Sequence, residues 1–200
     1  MIKKMLCLLI IVISISLASD QKIGIKTGIG FEFQTIGPLI AALTNSSSSG
    51  GSLYLPMQTD KFMIEPNLYY SYQSKEVGNL EEYESNFMVN IGLFSIQHRS
   101  DKLKTYSGFR LGIAMGKEKS IYTSSDEEKS KAFLFGPSVG AEFFLSDYVS
   151  FGGECTFRVI KGEKEGYDYQ GNSEIEKEST SILTPTLMIR FYFWWFVIKR

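Results

Sequence analysis

Residues 132–160 form two segments in which apolar side chains alternate with glycine, hydroxyl or charged residues. In the first segment the odd positions from Phe133 to Phe143 are apolar, and Glu142 lies on the even face. The odd positions from Val149 to Val159 repeat this pattern, with a glycine among them. A period of two predicts β-strands, and the polar run 146–148 predicts a short turn. The segment therefore predicts an antiparallel hairpin with two faces of different chemistry.

The glycines on the polar face indicate which side of this hairpin faces inward. A soluble sheet buries its bulky apolar face, whereas a membrane barrel turns that face to lipid and keeps a polar lumen. Glycine weakens an ordinary solvated strand, because it costs entropy and packs nothing. Inside a narrow barrel it leaves room for a few large polar side chains. The pattern favours a membrane barrel over the alternative, a soluble β-sandwich.

The same alternation of apolar residues with glycine and charge recurs along the chain. Together with a weaker candidate at residues 52–57, these segments predict about eight antiparallel strands in an up-and-down transmembrane β-barrel, the smallest that closes in a membrane. Pro66 cannot donate to a ladder and predicts a bulge or an irregular pairing. A change of apolar phase predicts a bulge near Leu93. The further strand segments are Lys22–Gln34, Lys61–Gln73, Glu84–Gln97, Thr105–Gly116 and Ser179–Phe193.

The connections between these strands alternate in length. Short periplasmic turns and long outer loops are typical of bacterial outer-membrane barrels. The predicted short turns are Gln58–Asp60, Arg99–Lys104 and Ser146–Tyr148, and the predicted long loops are Thr35–Gly51, Ser74–Tyr83, Lys117–Lys131 and Lys161–Glu178.

The N-terminus predicts export. Lys3 and Lys4 precede the apolar run Met5–Leu17, and Ala18 ends a small-residue cleavage site. The apolar run is shorter than the ~20 residues of a spanning helix. We predict a cleaved signal peptide at residues 1–18 and one barrel domain at residues 19–200. A net charge of −1 gives no indication of nucleic-acid binding.

Three stretches carry a family resemblance: TDKFMIEPNLYYSY (Thr59–Tyr72), FFLSDYVSFGGE (Phe143–Glu154) and LMIRFYF (Leu187–Phe193). With the export signal, they make the chain resemble the small outer-membrane β-barrel families, including the OmpA/OmpX-like and porin-like barrels. The resemblance implies an integral protein of the outer membrane of a Gram-negative-type bacterium, with outer-membrane lipid and the assembly machinery as partners. Such barrels often end on an aromatic residue. Here Trp194–Arg200 follows Phe193 and either continues the last strand or trails it.

Seven charged residues fall on the predicted inner faces. At ~3.3 Å per residue, six of them lie in the periplasmic half of the lumen, and Arg158 lies higher. Because an unpaired buried charge is costly, we predict an ion-pair network that fills this half. The alternative is that some of the charges reach water at the rim. The seven residues are Lys26, Glu65, Arg110, Glu142, Glu154, Arg158 and Arg190.

Catalytic signals are weak. The chain has one histidine, His98, beside a predicted periplasmic turn, and it has no zinc spacing and no phosphate loop. We therefore predict no catalytic residues, no cofactor and no metal site. The predicted function is non-enzymatic: an envelope-structural or surface-interaction role through the outer loops, with an unknown surface ligand and a lumen filled by side chains rather than an open pore. The alternatives are a soluble exported barrel that carries a small apolar ligand, and a lipid-modifying barrel enzyme.

Overall fold

A computed structural model describes residues 24–32, 48–77, 80–98, 100–119, 128–167 and 173–197. The predicted signal peptide, residues 1–18, lies outside these ranges. The described residues form nine β-strands and no helix, so they contain no helix able to cross a membrane. The strands are β1 Gly24–Glu32, β2 Ser48–Tyr54, β3 Met57–Gln58, β4 Phe62–Val77, β5 Leu80–His98, β6 Leu103–Lys119, β7 Glu128–Phe144, β8 Val149–Tyr167 and β9 Ser173–Val197.

The strands form one antiparallel up-and-down sheet that closes into a ring when β9 pairs with β1. Strands β2 and β3 lie end to end, because both pair with β1 on one side and with β4 on the other. The nine strands therefore occupy eight positions around the ring. The predicted fold class, an antiparallel up-and-down barrel of about eight strands, is confirmed.

The interruption between β2 and β3 is the irregular pairing predicted at Pro66. The Leu55 N–H donates to the Pro66 carbonyl over 2.9 Å, and the Gly28 N–H donates to the Pro56 carbonyl over 2.9 Å. In an antiparallel strand, the N–H and C=O of one residue point the same way. The donor that Pro66 lacks would therefore have pointed at this interruption. The ladder is therefore interrupted at the position where Pro66 has no N–H to donate.

The strands extend beyond the predicted boundaries into all four predicted long loops. Strand β2 begins at Ser48, inside the predicted loop Thr35–Gly51, and residues 35–47 of that loop lie outside the described ranges. The predicted loop Ser74–Tyr83 is mostly strand, since β4 runs to Val77 and β5 begins at Leu80. Strands β6 and β7 likewise include both ends of the predicted loop Lys117–Lys131, and β8 and β9 include both ends of the predicted loop Lys161–Glu178. Both faces of these extensions are polar. They keep their ladder hydrogen bonds without an apolar face, so periodicity could not reveal them.

The predicted bulge near Leu93 is wrong. Strand β5 pairs with β6 without a register shift from Tyr83 opposite Lys119 to His98 opposite Lys104. Phe94 and Ile96 lie on the inward face and are buried. They pack inside the barrel, and their apolar character gave the impression of a change of face.

The last strand includes the first part of the C-terminal aromatic tail. Strand β9 continues to Val197, which pairs with Gly24, while Phe196 pairs with Ile25. A register shift between Ile25 and Lys26 accommodates the extra length. Residues 198–200 lie outside the described ranges.

The barrel has two different ends and an apolar outer wall. We call the end with residues 100–102 and 145–148 the short-turn end, and the end where β4 to β9 project the long-strand end. On the wall, Phe135, Phe157 and Leu187 are 37%, 45% and 57% exposed. Arg110 and Glu154 point inward and are 5% exposed. The polarity of an ordinary soluble sheet is thereby reversed.

Candidate functional site in the barrel lumen

Two arginines and three glutamates form a continuous chain across the lumen. The Arg110 guanidinium lies 2.5 Å from Glu154 through Nε and 2.5 Å from Glu65 through Nη2. On the other side of Glu65, Arg190 Nη2 lies 2.8 Å from Oε2. Arg190 Nη1 then lies 3.5 Å from Glu142 Oε1. Glu65 thus bridges both arginines, and the order is Glu154, Arg110, Glu65, Arg190, Glu142.

All five side chains of this network are buried, at 6% exposure or less. Taking charges out of water costs several kcal/mol for each ion, and pairing offsets this cost only when the hydrogen-bonding geometry is good. Strands that are not neighbours in the ring supply the partners: Glu65 from β4, Arg110 from β6 and Arg190 from β9. The network therefore connects the walls of the barrel to one another.

Hydroxyl groups add hydrogen bonds to the carboxylate oxygens that face the arginines. Ser138 and Thr156 donate to Glu154 Oε1 over 2.6 Å and 3.0 Å. Tyr192 donates to Glu142 over 2.6 Å, and Ser150 also donates to Glu142. Sequence reasoning missed these four partners. Each lies at an even position, on the inward face that carries the charged residues, and that shared parity was the available signal.

An apolar layer lies inside the barrel between the network and the short-turn end. Met63, Phe94, Ile96 and Tyr106 form one buried cluster. The rings of Phe94 and Tyr106 meet edge to face, with centroids 5.1 Å apart. The Arg110 guanidinium lies 5.1 Å from the Phe94 ring, so the network contacts the apolar layer.

Glycine on the inward face makes this packing possible. A Cβ added at Gly140 would lie 2.3 Å from Tyr106 Cζ. Tyr106 cannot easily move away, because it is 3% exposed and its hydroxyl contacts both Glu154 and Arg190. The glycine supplies the space that the tyrosine ring fills.

Lys26 and Arg158 relate to the network differently from the other five predicted residues. Lys26 Nζ donates to the Asp147 backbone carbonyl over 2.5 Å and lies 4.8 Å from the Phe144 ring and 4.9 Å from the Tyr192 ring. It occupies the edge of the lumen at the short-turn end. Arg158 is half-buried higher on β8 and makes no ion pair within the described ranges. It lines a cavity of about 10 Å³ beside Arg110.

Beyond the network, the lumen opens at the long-strand end into a vestibule of about 300 Å³. Its inward-facing lining includes Glu84, Glu118, Glu128 and Lys164. Lys164 Nζ lies 2.7 Å from Glu128 and 3.4 Å from Glu118. The hydrogen bond to Glu128 raises the pKa of Lys164 above its ordinary value. In the part of the chain that the structure describes, no group of three His, Cys, Asp or Glu side chains converges as a metal site.

Comparisons with known proteins support the fold alone. No protein-family model matches the chain, and no curated protein matches it. Among solved structures, the crystal structure of a major outer membrane protein from Thermus thermophilus is similar, with a TM-score of 0.51 and 12% sequence identity. The match covers 86% of this chain and 100% of that one. The chain therefore has a β-barrel fold similar to that of an outer membrane protein, and membership of the OmpA/OmpX-like or porin-like families stays a prediction.

Proposed function

We propose that this chain is an integral outer-membrane β-barrel protein, with a sealed lumen and a non-enzymatic role in the envelope or at its surface. The observation that carries the proposal is the reversed polarity. Phe109, Val139 and Leu187 are 57–60% exposed on the wall, whereas Glu65 and Arg190 are 0% exposed inside. Water would penalise such a wall, and lipid would solvate it.

The height of the apolar wall supports insertion in a membrane. On β7, outward-facing apolar or small residues run from Phe133 to Phe143. Ten steps of ~3.3 Å give ~33 Å along the strand, and a tilt of ~45° reduces this to a height of ~23 Å. The apolar band of outer-membrane barrels is about 25 Å tall. The short-turn end is then periplasmic, and the long-strand end faces outward.

The filled lumen supports a sealed barrel. The network of Glu154, Arg110, Glu65, Arg190 and Glu142 spans the lumen, and the apolar layer lies between the network and the short-turn end. An eight-position barrel has an interior that side chains can fill. We expect purified protein in planar lipid bilayers to show no large, stable conductance. Porin-sized steps would contradict a sealed lumen.

The buried carboxylates support a structural role. Glu65 bridges two arginines, and Glu154 accepts bonds from Arg110 and from hydroxyl groups. Glu142 accepts bonds from Ser150 and Tyr192 and lies 3.5 Å from Arg190 Nη1. Carboxylates held in this way are poor general bases, because their basic oxygens are already occupied. The lipid-modifying alternative would place a histidine at the outer rim. His98 instead ends β5 at the short-turn end.

The soluble alternative requires the opposite distribution of side chains. A soluble carrier of a small apolar ligand has an apolar lumen and a polar exterior. The charged network occupies this lumen, and large apolar residues cover this exterior. We therefore favour the membrane barrel.

Envelope fractionation with gel electrophoresis tests the proposal. We expect the protein to require detergent for extraction and to migrate differently before and after boiling, because a closed barrel resists detergent until it is heated. Release in aqueous buffer together with unchanged mobility would favour the soluble carrier. The His98→Gln variant should behave like the wild type in both measurements.

A further inference from the structure

Charges are sorted by face where β6 to β9 project above the apolar band. Cα register places the odd-numbered residues of these extensions on the outward face and the even-numbered ones on the inward face. The inward set, in the vestibule, is largely acidic. The outward set is largely basic, and we call its six lysines the lysine rim: Lys117, Lys119, Lys129, Lys131, Lys161 and Lys177.

A groove on the outer wall joins part of this rim to the apolar band. It measures about 540 Å³ and is lined by both apolar and basic side chains. Register makes the juxtaposition direct, because Lys131 is opposite Met115, and Phe133 is opposite both Ile113 and Lys161. The three apolar side chains are 44–50% exposed, and both lysines are exposed. The groove therefore has an apolar floor and a cationic upper edge.

The one acidic residue in the groove does not cancel this charge. Glu163 lies 3.9 Å from Lys177, with their side chains 60% and 80% exposed. Such exposed pairs contribute little. Lys131, Lys161 and Lys177 give the groove three positive charges against one negative charge. The groove is complementary to an anion.

We propose that this groove binds the phosphate-bearing headgroup of a lipid in the surrounding leaflet, with an acyl chain of that lipid lying on Ile113, Met115 and Phe133. The inference rests on the proposed function, because only an inserted barrel presents the groove to a leaflet. Each Lys or Arg near an anionic membrane surface contributes about 1 kcal/mol of attraction. A free phosphate ion would use the lysines and leave the apolar floor uncovered, whereas a lipid satisfies both.

The separation of basic and acidic side chains onto different faces of the strands also supports a lipid as the ligand of the groove. Lysines on the inward face would lie in the vestibule, away from headgroups. Lys129, Lys131 and Lys161 instead project from the wall just above the apolar residues. Long Lys side chains at this level place their stems along apolar surface and their ammonium groups among headgroups.

Lipid retention by the full-length barrel tests the inference. The probe is lipid A, a phosphorylated glycolipid, mixed as a minor component into phosphatidylcholine nanodiscs, and mass spectrometry quantifies the lipid that stays bound after extraction. We expect the wild type to enrich lipid A over phosphatidylcholine. Lys131→Gln/Lys161→Gln should lower the enrichment about five-fold for each lysine removed. Lys131→Arg/Lys161→Arg should retain it, because the charge remains.

The matched control is Lys61→Gln/Lys102→Gln, which removes two exposed lysines at the short-turn end. This variant should enrich lipid A as the wild type does. Equal enrichment by Lys131→Gln/Lys161→Gln and the wild type would overturn the inference, and so would no enrichment by the wild type. Failure of the proposed function has a different signature. In that case the protein would not enter the nanodiscs and would show no change of gel mobility on boiling.

Discussion

The two ends of the barrel share an alternating pattern of side chains but place their ion pairs in different environments. Toward the short-turn end, ion pairs are buried at 6% exposure or less and link strands across the lumen. At the long-strand end, ion pairs such as Lys177–Glu163 are exposed and link neighbouring strands. Breaking a buried pair leaves an uncompensated charge, whereas breaking an exposed pair costs little. The comparison predicts a steep gradient of mutational effects along the barrel axis.

Arg190→Met should have the largest effect. It removes the partner of both Glu65 and Glu142 and leaves two buried carboxylates without that charge. Loss of one partner of a buried pair costs about 3–5 kcal/mol. We expect the free energy of unfolding in bilayers, measured by urea titration, to fall by this amount.

The matched variant Lys177→Met removes an exposed cation from the same strand, β9. It should change the free energy of unfolding by less than about 1 kcal/mol. Similar losses for Arg190→Met and Lys177→Met would contradict the contrast between the two ends.

Leu187→Lys should have the second largest effect, because it places a charge on the outward face of β9 within the apolar band. A lysine near the bilayer midplane costs about 2–4 kcal/mol on the lipid face of a barrel. Ser181→Lys lies outward on the same strand and above the band, and it should cost close to nothing. Refolding into vesicles, followed by the boiled-versus-unboiled gel shift, measures both. If Leu187→Lys folds as readily as Ser181→Lys, the wall does not face lipid.

Gly140→Ala should destabilise the barrel by about 1–3 kcal/mol, the range for overpacking. The new methyl group would lie 2.3 Å from Tyr106 Cζ, and Tyr106 is held by its neighbours. Adding Tyr106→Leu should recover part of the loss, since the smaller side chain clears the space. Urea unfolding of the two single variants and the double variant gives the coupling energy. Additive effects would show that the ring and the glycine do not compete for space.

The sequence could predict the charged residues of the lumen because they follow the alternation of their strands. Glu65, Arg110 and Glu154 lie on the face opposite the outward apolar stripe of their strands, so a period of two identified them as inward. Which carboxylate pairs with which arginine depends on distances across the lumen, and these are set by strand tilt and register. The bridging position of Glu65 between two arginines was therefore beyond sequence reasoning.

The long-strand end was harder to predict because periodicity fails where both faces are polar. Ser74–Tyr83 has no apolar stripe, yet β4 extends into it as far as Val77 and β5 begins within it at Leu80. The wrong prediction of a bulge near Leu93 arose instead from apolar residues that face inward. Phe94 and Ile96 are apolar and inward, since the floor of the lumen needs an apolar layer, and an alternation rule reads every apolar residue as facing lipid.

Lys164→Ala should have the smallest effect on the free energy of unfolding, and it tests the ion pairs of the long-strand end. Lys164 contacts Glu118 and Glu128 with its own side chain 37% exposed, so its loss should cost less than about 1 kcal/mol, and added salt should reduce even this. Because its pKa is raised in the folded barrel, its contribution is complete below the unfolded pKa of ~10.4 and is lost only as pH rises through the folded value. Urea unfolding of wild type and Lys164→Ala should therefore show a difference that is constant between about pH 6 and pH 9. A difference of several kcal/mol, or one insensitive to salt, would show that the vestibule pairs behave like the buried network.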